Sequence, residues 1–197
     1  HIDINSVELV TVSNNIFLND FRFSERVITY RSSSYIVIKD SNHDEDQFLG
    51  SNNIIVNNNV FLNWQGSHGH GFLLIGEDGK PYYEAKNIKI FNNLFLGNSS
   101  ISMRSPFGIK GARDIDFYNN TTVGNLPSNA YAMRFNRERS NPINDNINII
   151  NNIWSDPSGT MGQGDYQKSN DFSDIGYNDL KTFTFDNNLV FNGEQDL

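Results

Sequence analysis

The chain has 197 residues, a formal net charge of −8 and a pI near 4.8. That is room for one domain, and the acidic balance argues against nonspecific nucleic-acid or anionic-membrane binding. There is no cysteine, which excludes disulfides but not secretion, and neither a transmembrane run nor a signal-peptide pattern is read.

In chain order, one pattern recurs. Residues 9–19 read LVTVSNNIFLN: an apolar alternation, an Asn pair, a second alternation and a closing Asn. Residues 36–43 (IVIKDSNH) are a weaker copy, with Asp40 and Ser41 where the pair belongs. Residues 51–63 read SNNIIVNNNVFLN, 87–98 NIKIFNNLFLGN and 114–125 DIDFYNNTTVGN. Residues 146–155 read NINIINNIWS, and 182–192 TFTFDNNLVFN. Repeats of this kind set an architecture.

Alternation at period two is the strand signal. A strand this short cannot bury its inner face alone, but stacking the next copy on it buries a continuous apolar column. The Asn pair marks the turn, because Asn tolerates left-handed backbone and bonds its own main chain. Stacked at a strand spacing of about 4.8 Å, Asn side chains also bond one another. The 31 Asn residues are explained by such turn ladders, and 15 Phe and 8 Tyr suit a β interior.

Successive pair positions are 26, 18, 34, 27, 32 and 36 residues apart. That is too irregular for a helical solenoid and fits a coil with insertions of varying length. The reading is a single all-β domain over 1–197, a right-handed parallel β-helix (solenoid) of about seven coils. The chain opens in a repeat-like stretch with no capping segment, so it is expected to be part of a longer protein. The expected interior comprises Ile54, Val56, Ile88, Ile90, Ile115, Phe117, Ile147, Ile149, Phe183 and Phe185.

Further strands are expected at 26–32 (RVITYRS), 47–51 (QFLGS), 71–76 (GFLLIG), 100–105 (SISMRS) and 130–136 (AYAMRFN). Three of these superpose without gaps, which places Tyr30, Met103 and Met133 inward. It places Arg31, Arg104 and Arg134 outward, with Arg104 and Arg134 as neighbours. Insertions at 64–71, 77–85, 137–145 and 157–180 are where function is expected on a rigid scaffold.

An acidic cluster, Asp44, Glu45 and Asp46, precedes one strand. His68-Gly69-His70-Gly71 precedes the next, and Arg104 ends the one after. Stacked coils would bring these onto one outward face. Glu45, Asp46, His70 and Arg104 are therefore candidate catalytic residues. His68, Trp64, Tyr82, Tyr83 and Arg134 are candidate substrate-binding residues. Asp40, Asp44, Glu45 and Asp46 are a candidate calcium set. Each has a plainer reading as well: solvated turn, loop cap, partner of a loop acid such as Glu138, or aromatic packing, which applies also to Trp154.

The arrangement resembles the polygalacturonase family of glycoside hydrolases, over roughly residues 37–125. Glu45-Asp46 stands near that family's Asp-Asp pair. Gly69-His70-Gly71 matches its Gly-His-Gly element, and Arg104 stands where Arg-Ile-Lys belongs, although Ser105 and Pro106 follow it instead. More broadly the chain resembles the pectin-lyase-like parallel β-helix proteins, many of them lyases, hydrolases or epimerases of polysaccharides. The resemblance implies a secreted or cell-surface protein whose partner is an acidic polysaccharide. As a hydrolase it would use carboxylates near Asp46 as acid and base. As a lyase it would use calcium with His70 or Arg104 as base. The competing expectation is a noncatalytic carbohydrate-binding, adhesive or structural filament protein.

Overall fold

The structure, a computed structural model, describes residues 1–19, 23, 25, 33–41, 48–66, 70–98, 101–129, 132–162 and 177–193. Its strands come in triplets. The first is β1 (Ile2–Asn5), β2 (Glu8–Ser13) and β3 (Ile16–Leu18). The second is β4 (Ile36–Lys39), β5 (Ser51–Asn57) and β6 (Val60–Leu62), and the third β7 (Leu73–Ile75), β8 (Ala85–Phe91) and β9 (Leu94–Asn98). Then follow β10 (Phe107–Lys110), β11 (Ala112–Tyr118) and β12 (Thr121–Asn125), and β13 (Met133–Asn136), β14 (Asp145–Ile150) and β15 (Ile153–Ser155). A final pair is β16 (Phe183–Asp186) and β17 (Leu189–Phe191).

Each strand pairs in parallel with the corresponding member of the next triplet. The result is three parallel sheets, ordered β1-β4-β7-β10-β13, β16-β14-β11-β8-β5-β2 and β17-β15-β12-β9-β6-β3. The chain is all-β, and this arrangement is consistent with a parallel β-helix; no α-helix occurs among the described residues.

The Asn pairs make the corner between the second and third sheets. The first Asn of each pair (Asn14, Asn58, Asn92, Asn119, Asn151, Asn187) takes a positive φ of 54–60°, which Asn accepts at low cost. The second forms the expected column. Asn59 Oδ1 accepts the backbone N–H of Asn15 at 3.0 Å and its side-chain amide at 3.1 Å. The same pair of bonds runs Asn59 to Asn93, Asn93 to Asn120, Asn120 to Asn152 and Asn152 to Asn188. Each side-chain amide from Asn59 onward also reaches a strand carbonyl, such as Asn93 Nδ2 to Val56 O at 2.9 Å. Buried polar atoms at the turn are thereby satisfied.

Inside, Phe17, Phe61 and Phe95 stack at centroid distances of 4.8 and 4.6 Å. Eight of the ten expected interior residues, Ile54 through Ile149, are buried. Phe183 is only partly buried and Phe185 is 40% exposed, because β16 is the outermost strand of its sheet and packs on one side only.

Several strand assignments differ from expectation. Residues 36–39 are not an Asn-pair copy: β4 lies in the first sheet, between β1 and β7. Residues 26–32 lie outside the described residues. Of the described residues 48–51, only Ser51 enters a strand, at the start of β5. Among the described residues 101–105 there is no strand; Met103 makes one isolated bridge, to Ser128. The strand there is β10, beyond Pro106. The gap-free superposition therefore fails: Met133 pairs with Phe107 and Arg134 with Gly108. Proline has no N–H for a ladder; Pro106 instead offers its carbonyl to the N–H groups of Phe72 and Leu73.

Candidate functional site

The first sheet has strands of three or four residues, and the longer connections lead into and out of it. Its inward residues, such as Ile36, Ile38, Leu73, Ile75, Phe107 and Ile109, join the core. Register aligns the others into Asp3, Val37, Leu74, Gly108 and Arg134. Lys39 and Lys110 stand two residues along their strands.

Two segments stack just ahead of this sheet. Arg104 donates its backbone N–H to His70 O at 2.9 Å, so these residues are held side by side. Gly71 permits the contact, since a Cβ there would lie 1.8 Å from Ser105 O. Gly108 leaves a gap in the sheet face, with a Cβ at this position reaching 3.1 Å from Leu74 Cδ1. Over it is a small depression of about 10 Å³, lined among others by His70, Leu74, Arg104, Gly108, Arg134 and Asn136. That is room for about one water. Three residues singled out from sequence thus meet: His70, Arg104 and Arg134. Arg104 and Arg134 share the depression although they are not register partners.

The acids nearby come from the 77–85 and 137–145 insertions. Glu77 Oε1 is 3.9 Å from His70 Nε2, and Glu77 Oε2 accepts from Lys39 Nζ at 2.8 Å. Lys39 also lies 3.6 Å from Asp78, and Lys110 is 2.7 Å from Glu138. Buried Glu84 holds the loop from beneath, accepting the backbone N–H groups of Glu77, Asp78, Gly79 and Lys80 and the side-chain amide of Asn141. A carboxylate taking several N–H bonds is a strong local organiser.

Protonation follows from this packing. Burial lowers the His70 pKa; Glu77 opposes the shift, while Lys110 and Lys39 add to it. The imidazole is therefore neutral near pH 7. Its Nδ1 is buried and has no hydrogen-bond partner among the described residues. Burial raises the Asp78 carboxyl; Lys39 opposes this, and Glu84 and Glu77 reinforce it. For Lys39 burial works against the charge, yet Glu77 and Asp78 hold its pKa above the ordinary value.

Asp44, Glu45, Asp46 and His68 lie outside the described residues. Trp64 is wholly buried in the core, so its ring offers no face to a surface ligand; Trp154 is equally buried. Tyr82 and Tyr83 are half-buried, the Tyr83 ring carrying the Arg113 guanidinium 5.3 Å from its centroid. Asp40 is buried and accepts from the Ser6 hydroxyl and the Gly50 N–H, both at 2.8 Å. No group of three or more acidic or His side chains suited to a metal occurs among the described residues.

The sequence pointed to the 77–85 insertion as a place for function but did not single out Glu77 and Asp78, nor Lys39 and Lys110. The available signal was position: Glu77 follows the strand after His70, and Lys39 and Lys110 close strands of the same sheet. Compared with known protein families, curated proteins and solved structures, the chain finds no match.

Proposed function

We propose that the protein is a right-handed parallel β-helix of the pectin-lyase-like kind that engages an acidic polysaccharide, outside the cell or on its surface. Right-handedness follows from the rule for crossovers between parallel strands. Taking each triplet as one coil gives five coils and part of a sixth. The observation that carries the functional reading is the meeting of His70, Arg104 and Arg134 in one depression. Guanidinium groups suit a uronate carboxylate, with planar forks of donors that match it.

Neutral His70 has the means to accept a proton. In a β-elimination it would take the C5 proton of a uronate, with Arg104 or Arg134 on the carboxylate as negative charge develops there. The electron pair then forms the C4–C5 double bond, and the C4–O bond breaks. The departing oxygen takes a proton from solvent. Hydrolysis with Glu45 and Asp46 as the carboxylate pair is the competing chemistry.

The test is absorbance at 235 nm, with reducing-sugar release, against a panel of polyuronates with and without calcium. Wild type should generate the unsaturated product, and His70→Ala should lose it while retaining binding. Reducing ends without absorbance would select hydrolysis. Activity unchanged in both His70→Ala and Arg104→Ala would sink the site. A second reading is binding without catalysis, favoured by the size of the depression, which admits about one water. A glycan would then lie across the face. Saturable polyuronate binding that Arg134→Ala weakens, with no product of either kind, would establish it.

A further inference from the structure

The third sheet turns an uncharged apolar face to solvent. Its middle residues, such as Phe61 and Phe95, point into the core, so the flanking positions point out. Register aligns the first outward column as Ile16, Val60, Leu94, Thr121, Ile153 and Leu189. The second runs Leu18, Leu62, Leu96, Val123, Ser155 and Phe191. No position in either column is charged, in a chain of net charge −8. The neighbouring six-stranded sheet offers the contrast, aligning Lys89 with Asp116, Lys86 with Arg113, and Arg113 with Asp145.

Six of the twelve positions are exposed and the other six half-buried. Ile16 is 72% exposed, Leu18 58%, Leu189 60%, Phe191 47%, Ile153 38% and Leu96 37%. Six strands at about 4.8 Å make a continuous surface. Together the twelve positions present roughly 600 Å², at the upper end of patches ordinarily left open on a monomer.

We infer that this face joins two copies of the chain. Two such faces would bury about 1,200 Å² in total, which reaches the range of stable interfaces. A two-fold pairing is isologous: one patch serves both partners, so the absence of charge on it matters twice. A face without carboxylates spares two acidic molecules like-charge repulsion where they meet. Leu and Ile columns on a parallel sheet pack against their like at about 10 Å, as in sheet-on-sheet layers. The first-sheet depression does not belong to this face, so the pair would leave both copies of it open.

Sedimentation velocity over a wide concentration range is the experiment, with the full chain and three variants. Wild type should sediment as a dimer that dissociates on dilution. Leu96→Lys and Ile153→Lys, both at exposed positions, should weaken the association at least roughly a hundredfold, because each pair would bury two unpaired ammonium groups. Their circular dichroism and Tm at low concentration should match wild type, which separates lost association from lost fold. Asn148→Lys, on the outer face of the second sheet, should leave the dimer intact. A wild type monomeric at every concentration overturns the inference. So does a dimer that persists in both lysine variants, which would place the contact elsewhere, for instance at Phe185. A monomer that partitions onto uncharged lipid vesicles through Leu96 overturns it as well, by assigning the face to a lipid surface.

Discussion

His70 shows how one side chain becomes a functional candidate through packing. Its imidazole has Glu77 beside Nε2 at 3.9 Å, too far for a hydrogen bond, and Nδ1 sealed from water. Burial therefore outweighs the favourable carboxylate, and the pKa falls below 6.5. The sign of the consequence is fixed by linkage. The unfolded chain, with an ordinary His, binds a proton below about pH 6.5 that the folded chain refuses. Stability from this group is then fully present above pH 6.5 and is lost as pH falls toward the folded pKa. Thermal melts of wild type and His70→Asn between pH 7.5 and 5, normalised at the upper end, should diverge as pH falls, with wild type dropping further. Parallel curves would mean that His70 is not held neutral. Any base catalysis by His70 should follow its own lowered pKa, with activity retained below the pH at which a free imidazole would be protonated.

At the scale of elements, the site depends on two pre-strand segments held in contact. Gly71 lets residues 70–71 and 104–105 approach, and no other residue fits without moving the Ser105 carbonyl. Gly71→Ala should destabilise the protein by about 1–3 kcal/mol through overpacking, a fall in Tm of roughly 2–12 °C. It should also separate His70 from Arg104 and so weaken polyuronate binding more than a Gly79→Ala change in the neighbouring loop. The Asn-pair strands and the ladder were legible because their apolar positions alternate at a fixed offset from the pair. The first sheet was legible only in part: β7 and β13 fall within the strands expected at 71–76 and 130–136, while β10 was missed. β10 contains Gly108, which weakens strand character, and it follows Pro106, which breaks it. The apolar run of β4 looked like one more Asn-pair strand because alternation cannot tell one sheet of such a stack from another. For the same reason the convergence of His70 with Arg104 was legible from spacing, whereas Glu77 came into the site through the shape of a loop that Glu84 organises from its backbone.

Across the whole molecule, stability should be graded along the stack. Each strand contacts chiefly the strands before and after it, so the structure behaves as a row of coupled units. The ladder makes this measurable with one residue type. Asn120 is 1% exposed; it accepts from the Asn93 backbone and amide, and donates to Ile90 O and to Asn152. Asn188 accepts from Asn152 in the same way and donates to Ile149 O, but it is half-exposed beside the outermost strands. Water can replace its bonds when the side chain is removed, whereas at Asn120 the abandoned donors and carbonyl stay dry. Asn120→Ala should therefore cost about 2–3 kcal/mol and Asn188→Ala about 1 kcal/mol or less. Denaturant titrations give both values, and hydrogen exchange gives their spatial counterpart. Amides of β8 and β11 should open only with global unfolding, and those of β16 and β17 by local fraying. Equal costs at the two positions, with uniform protection from β2 to β17, would show a single cooperative unit instead of a graded stack.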